Sequence, residues 1–544
     1  MPSKEENARN GLPETDWRDA QYDMLYLPVT ETIRYHYDFN GNRTATVLPD
    51  GRQINYLYYG SGHLHQISLD DEVITDIERD KLHREIFRTQ GKLASRYELD
   101  PLGRLKRQIA TLNDLTEGGK GKTKVAAGYN QTAVKRSYGY DRTGNLTHST
   151  DQRTGITRFE YDKLGRIIQA GSELFAFDPA HNILSDDLNA IPDNRLKTYN
   201  GTTYYYDDLG NLIHRELADG EVQNYFYDLH DQLVKAEIFK KDGSKETWSY
   251  TYDALGRRIG KGRLKNEEVS DDLENQTYFV WDGSHLLQEI LPDGRYTYIY
   301  TDPDSYEPLA QVRDWTTKDG ESRQQTRYFH CDQIGIPREM TDKDGNLLWF
   351  GNYTGWGRLK EETKVTDAAY QPFRLQNQYA DRETGLHYNF FRYYEPDAGR
   401  FVNQDPIGLW GGSNFYQFAP NTQVWVDLFG LMRLFRSMAR NELFDLKING
   451  WNGKGEMIFA KWFAETHDDA VQWGRKMGHG ADTKFYVVEF EVDDEIAEKA
   501  YIPDKCKRGE KFDGVGRARA IEIDELNKKP PEIKKITSYR NTKK

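Results

Sequence analysis

The stretch Tyr250–Lys261 reads YTYDALGRRIGK, and the same pattern recurs along most of the chain. YELDPLGRLKRQ begins at Tyr97, YGYDRTGNLTHST at Tyr138, FEYDKLGRIIQA at Phe159 and YYYDDLGNLIHRE at Tyr204. Worn copies begin at Tyr35 (YHYDFNGNRTAT), Phe175 (FAFDPAHNILS) and Tyr225 (YFYDLHDQLVKA). The shared core is aromatic-x-Tyr-Asp-x-x-Gly-Arg/Asn-Leu. Strand side chains alternate, so the two rings fall on one face. The aspartate ends the strand by bonding the turn backbone, and glycine supplies a positive φ. An Arg or Asn and an aliphatic residue then open the returning strand. The unit is a β-hairpin, and its repetition predicts a mainly β chain with tyrosines stacked along one wall.

Composition agrees. The 544 residues include 36 Tyr, 24 Phe, 11 Trp and 46 Gly, with 18 Pro. So many aromatics can offset the entropy of ordering, which excludes a disordered chain. The net charge of -13 argues against a protein that coats nucleic acid. It also averages two unlike parts. Residues 432–544 carry 23 basic and 20 acidic residues, leaving 51 and 67 in residues 1–431. The two cysteines, Cys331 and Cys506, lie far apart and support neither a disulfide framework nor a thiolate metal site. No apolar run is long enough to span a bilayer, and the first residues lack a signal-peptide core. The expectation is synthesis in the cytoplasm and delivery by a dedicated secretion apparatus.

The hairpins resemble the YD repeats of the RHS family, shared with insecticidal toxin-complex C components and teneurins. The resemblance covers roughly residues 20 to 431. It implies a long sheet wound into a hollow shell around a polypeptide cargo. Few repeats are present, so the shell is expected to be incomplete and to need an upstream segment or partner for closure. On this reading residues 1–327 are shell repeats.

Residues 328–431 form a second segment. It contains GRFVNQDPIGLWGGSNFY from Gly399 and VDLFGL ending at Leu431. This is similar to the RHS core-associated domain, with its pattern GRF-x-x-x-DPxGL-x-GG-x-N-x-Y and a second DPxGL. Alone, both aspartates would read as turn residues. The resemblance implies an aspartic self-protease with Asp405 and Asp427 as the catalytic pair and Leu431–Met432 as the scissile bond. Two close carboxylates cannot both ionise easily, so one holds a proton while the other activates water. Arg400 is expected to bias or orient them. Leu428 stands where the family has proline, which alters the backbone restraint.

At Met432 the repeats stop, and 432–544 reads as one small α+β domain. Strands are expected at Leu434–Met438, through Phe463, over Lys484–Val492 and near Arg519–Ile523. Helices are expected over ARNELFDLKING and from Thr466, which can cap the helix, with Asp468 and Asp469 at its positive end. The KKPP and NTKK endings read as solvated tail.

The layout resembles polymorphic-toxin ADP-ribosyltransferases. That implies NAD as cofactor, Arg436 gripping its phosphate or ribose, and Trp462, Phe463 and Thr466 around the nicotinamide. A late glutamate would stabilise the oxocarbenium charge, with Glu522 favoured over Glu491 because its separation from Thr466 suits the family order. The rival is a metal-independent nuclease with His467 and His479 as acid and base, and Lys505, Lys507, Arg508 and Lys511 on phosphates. A third reading is a teneurin-like adhesion or structural module. No HNH, HExxH or CxxC pattern suggests a metal. A toxin of this kind implies interbacterial competition, a cognate immunity protein, and a protein or RNA target in the recipient cytoplasm.

Overall fold

The computed structural model describes residues 31–60, 62–112, 132–185, 191–265, 273–366, 369–406, 414–425 and 427. In the C-terminal segment it describes 434–439, 460–464, 470–471, 484–491, 518–522 and 532–540. The chain divides into two compact units. One comprises residues 1–136, 279–330 and 340–347, and the other 137–278, 331–339 and 348–544. Each unit takes residues from both sides of the 327/328 boundary expected from sequence. Strands pair with their neighbours in sequence, and strand Ser322–Cys331 runs across that boundary.

In the first unit, eight strands between Arg34 and Leu112 pair antiparallel, each with the next. Leu48, Ile54, Ile67, Ile74 and Ile77 bury their side chains against Leu287, Ile299, Leu309 and Val312. In the second unit, strands Thr202–Tyr206, Leu212–Glu216, Val222–Tyr227, Leu233–Phe239, Lys245–Tyr252 and Arg258–Leu264 form another sequential meander. The architecture is mainly β, as the repeats require.

The turns show why the motif keeps its residues. In the hairpin at Asp100, the Asp100 N–H donates to the Arg104 carbonyl, and the Gly103 N–H donates to the Asp100 carbonyl. Oδ1 of Asp100 accepts the Leu102 and Arg104 N–H groups at 2.9 Å each. Oδ2 then takes the Arg104 Nε at 2.7 Å. One carboxylate therefore satisfies the loop and pairs with the motif's arginine. Asn145 does the same at Asp141, with Nδ2 to Oδ2 at 3.1 Å. Gly103 sits at φ 89°, where a side chain would be strained.

The same bonding appears at Asp80 with Arg84, Asp332 with Ile336 and Asp342 with Asn346. These turns were not recognised in sequence. The hairpin at Asp80 lacks the aromatic-x-Tyr pair, and His83 takes the left-handed position at φ 61°.

The motif's second tyrosine links one hairpin to the one before it. Tyr161, Tyr227 and Tyr252 each donate their hydroxyl to the backbone carbonyl of the preceding repeat's leucine: Leu146 at 2.8 Å, Leu212 at 2.9 Å and Leu233 at 2.8 Å. A register shift falls just before each of these tyrosines, a bulge that strengthens local twist. The first ring of the pair is buried, as at Tyr204, Tyr225 and Tyr250.

The C-terminal segment contains a five-stranded antiparallel sheet. Its order is Ala518–Glu522, Ala460–Ala464, Leu434–Ala439, Lys484–Glu491, Glu532–Arg540. Four of these strands match the sequence expectation. The fifth, Glu532–Arg540, was not expected from sequence; it pairs with Lys484–Glu491. KKPP and NTKK, read as solvated tail, lie outside the described residues. Residues 470 and 471 are helical, inside the stretch expected as a helix. Of ARNELFDLKING, Ala439 ends the first strand, and residues 440–450, like Thr466, lie outside the described residues.

Candidate active site

Four short strands build the frame: Tyr379–Ala380, His387–Asn389, Arg392–Glu395 and Arg400–Phe401. The second and third form a tight hairpin in which Asn389 pairs with Arg392. Phe390 closes it at φ 58°. The third pairs with the fourth through Tyr394 and Phe401, whose rings join Phe418, Leu375 and Ile336 in one buried cluster.

This frame is tied to the repeat strands by buried ion pairs. Arg258 grips both oxygens of Asp381 at 2.6 and 3.0 Å, and Lys261 bridges Asp381 and Glu383 at 3.0 and 2.9 Å. Arg215 pairs with Glu395. Two cations against Asp381 and Glu383 balance the charge, and Tyr388 stacks under Arg258 at 4.3 Å. Burial pushes the Asp381 carboxyl up, but Arg258 and Lys261 outweigh it and hold it below the usual carboxylate value.

Past Phe401, the Asp405 N–H donates to the Phe415 carbonyl at 2.9 Å. Asp405 is buried and Asp427 is partly so. One atom connects them. Nη2 of Arg392 lies 3.1 Å from Asp405 Oδ2 and 3.4 Å from Asp427 Oδ2. The two carboxylate oxygens therefore approach each other no more distantly than those two contacts combined. Arg392 itself is almost wholly buried, lies 3.6 Å over the Phe401 ring, and donates from Nη1 to the Phe415 carbonyl at 3.1 Å. Burial pulls its guanidinium below the usual arginine value, with the two aspartates opposing the shift.

Asp405 and Asp427, the two aspartates read from sequence, are thus brought together. Arg400 requires a correction. It is buried, donates to Asn182 Oδ1 at 3.2 Å and to the Asn194 carbonyl, and stacks 4.8 Å over Tyr416. These partners do not include Asp405 or Asp427. The arginine that contacts both aspartates is Arg392, which the sequence reading does not single out. Its signal was present in FFRYYEPDAGRF, where two arginines stand eight residues apart and only pairing decides between them. Leu431 and Met432, the bond expected to be cut, lie outside the described residues.

In the C-terminal sheet the register fixes backbone positions. Arg436 pairs with Val488 on the central strand, Phe463 with Arg519 and Trp462 with Ala520. Glu522 pairs with Ala460, and Glu491 with Glu532. Phe435 pairs with both Ala464 and Glu489, which aligns the rows. Counting from that row, Glu491 and Glu522 stand at opposite ends of the sheet, offset by about 20 Å along the strand direction at roughly 3.4 Å per residue. Position 436 falls midway along that axis, one strand from Glu491 and two from Glu522. Among the described residues no three His, Cys, Asp or Glu side chains converge on a metal position. None of the described helices is long and apolar enough to cross a membrane.

Residues 122–279 match the Teneurin YD-shell family and residues 327–363 the RHS protein family. The chain is 38% identical over 422 residues to double-stranded DNA deaminase toxin A of Burkholderia cenocepacia (strain H111), covering 74% of this chain and 29% of that protein. It is 28% identical over 436 residues to "Probable deoxyribonuclease RhsB" of Dickeya dadantii (strain 3937), covering 76% and 28%. The chain therefore spans less than a third of the length of these relatives. The solved TcdB2-TccC3-TEV structure superimposes with a TM-score of 0.52 at 18% identity, over 77% of this chain and 22% of that one. That likeness concerns the fold, which is mainly β and of the YD-shell kind.

Proposed function

We propose that this chain is the C-terminal part of an RHS-type polymorphic toxin that cuts itself after Leu431 and frees residues 432–544 as an effector. The contact of one Arg392 nitrogen with both Asp405 and Asp427 carries this reading. Two carboxylates held on one buried guanidinium nitrogen form the kind of close pair in which one member can carry a proton while the other stays ionised. The pair then works as acid and base. The ionised carboxylate accepts a proton from water as its oxygen bonds the Leu431 carbonyl carbon. The protonated one gives its proton to the departing Met432 nitrogen when the C–N bond breaks. The products are a Leu431 carboxylate and a Met432 amine.

The released domain is proposed to use NAD to ADP-ribosylate a component of the recipient cell. Support comes from the arginine on the first strand and the AKWFA strand beside it. Arg436 would hold NAD, with Trp462, Phe463 and Thr466 near the nicotinamide. Glu522 would support the oxocarbenium charge, with Glu491 as the other candidate. A nuclease using His467 and His479 is the second reading. A relative named as a deoxyribonuclease favours it, while another relative is named as a DNA deaminase toxin. A teneurin-like structural module is the third, and the Arg392-bridged aspartates speak against it.

The reading includes a cognate immunity protein, an upstream shell segment or partner, and a secretion apparatus. It is tested on the purified chain. A denaturing gel should show a fragment of about 13 kDa, the share of residues 432–544 in the 63.4 kDa chain. Asp405→Asn or Asp427→Asn should abolish it, and an uncut wild type would end the self-protease reading. Labelled NAD with cell lysate tests the effector. Label transfer that persists in both Glu522→Ala and Glu491→Ala would refute the assigned site. Nucleic-acid degradation without NAD consumption would favour the nuclease.

A further inference from the structure

We infer that Asn389 is a positioning residue for self-cleavage, holding the main chain of Asp427 while Arg392 holds its carboxylate. The inference rests on the self-protease reading above.

The geometry is a two-point grip from one hairpin. Asn389 and Arg392 are register partners across the Phe390–Phe391 turn. Asn389 Nδ2 donates to the Asp427 backbone carbonyl at 3.1 Å, and Arg392 Nη2 reaches Asp427 Oδ2 at 3.4 Å. A contact to the carboxylate alone would leave the chain free to pivot about it. Fixing the carbonyl as well sets both the carboxylate and the direction in which the chain continues toward the bond to be cut. Misplacement by about 1 Å is enough to slow a positioned reaction severely.

A second observation separates this role from packing. Asn389 is fully buried, yet its Oδ1 has no hydrogen-bond partner, and the same holds for Nε of Arg392 opposite it. An unpaired buried acceptor costs about 1–3 kcal/mol, which an apolar side chain of similar shape would avoid. Simple core filling would therefore favour leucine at this position. The amide stays because its donor is used on Asp427.

The test follows cleavage of the full chain over time after cell-free synthesis, on denaturing gels at several pH values. Asn389→Ala should slow cleavage by about tenfold or more, the loss expected of a misplaced reacting group. Asn389→Asp keeps the shape. Ionised, it has no donor for the Asp427 carbonyl and adds a third negative charge. Protonated, its O–H replaces the lost N–H. Cleavage of Asn389→Asp should therefore be slow at neutral pH and recover toward the wild-type rate as the pH falls to about 5. A merely structural role would not move the pH profile.

Cleavage of Asn389→Ala at the wild-type rate, or an Asn389→Asp profile identical to wild type, would overturn the inference. Asp405→Asn runs alongside. If Asp405→Asn is cut, the self-protease reading itself fails. If Asp405→Asn stays whole while Asn389→Ala cuts normally, only the role of Asn389 falls. Melting curves of the Asn389 variants in the uncut Asp405→Asn background keep folding separate from cleavage.

Discussion

The Tyr227 hydroxyl donates to the Leu212 carbonyl at 2.9 Å, joining the tyrosine of one hairpin to the leucine of the hairpin before it. The bond recurs between Tyr161 and Leu146, and between Tyr252 and Leu233. It explains why the motif ends in Tyr-Asp rather than Phe-Asp. Phenylalanine would fill the same space but leave a main-chain carbonyl unpaired.

Tyr227→Phe should therefore destabilise the second unit by about 1–2 kcal/mol, the cost of one buried carbonyl left without a donor. Urea unfolding followed by tyrosine and tryptophan fluorescence would show a lower midpoint with an unchanged slope. An unchanged midpoint would remove the hydroxyl from the account of the motif.

The turn aspartates should make the repeats acid-sensitive. Burial raises the Asp162 carboxyl, but the Arg166 N–H and side chain, with the Leu164 N–H, outweigh it and hold it below the usual value. A depressed folded-state value adds stability above the unfolded carboxylate pKa of about 3.9, and that stability is lost as pH falls through the folded value. Asp162→Asn should cost about 0.5–1 kcal/mol at pH 7, as a partly exposed ion pair would, and the gap should narrow as the pH is taken below the unfolded value of about 3.9. Thermal melts of both proteins at pH 7 and below the unfolded value check this.

Asp381→Asn should be far more damaging. It leaves Arg258 and Lys261 buried with Glu383 as their remaining carboxylate, and breaking such a pair costs about 3–5 kcal/mol. The expected result is a large fall in melting temperature with loss of the self-cleaved fragment. A variant that melts normally would show that the frame does not depend on this cluster.

Arg392→Lys should leave the chain uncut, because a single ammonium cannot reproduce a planar fork that contacts Asp405, Asp427 and the Phe415 carbonyl together. Arg400→Lys, by contrast, disturbs bonds to Asn182 and Asn194 and should lower stability more than it lowers the cleavage rate of folded protein. Paired gels and melting curves separate the two arginines. The opposite pattern would return the orienting role to Arg400.

Much of the fold was legible because its reasons are local. An aspartate that satisfies its own loop, a glycine at φ 89° and a ring two residues before the turn all act within ten residues, so they leave a readable motif. The turn at Asp80 escaped because it has the carboxylate without the rings. The strand Glu532–Arg540 escaped because its support comes from Lys484–Glu491, some fifty residues away.

The site divides in the same way. Sequence by itself determined the repeated hairpin, the abrupt change at Met432, and Asp405 and Asp427 as the aspartates to examine. Only the tertiary structure decided that Arg392, and not Arg400, lies between them, and that Asn389 holds the Asp427 main chain. A turn is closed by neighbours in sequence, whereas a buried guanidinium is claimed by whatever acceptors the folded chain brings within about 3 Å of it. For Arg400 those are Asn182 and Asn194, and for Arg392 they are the two aspartates.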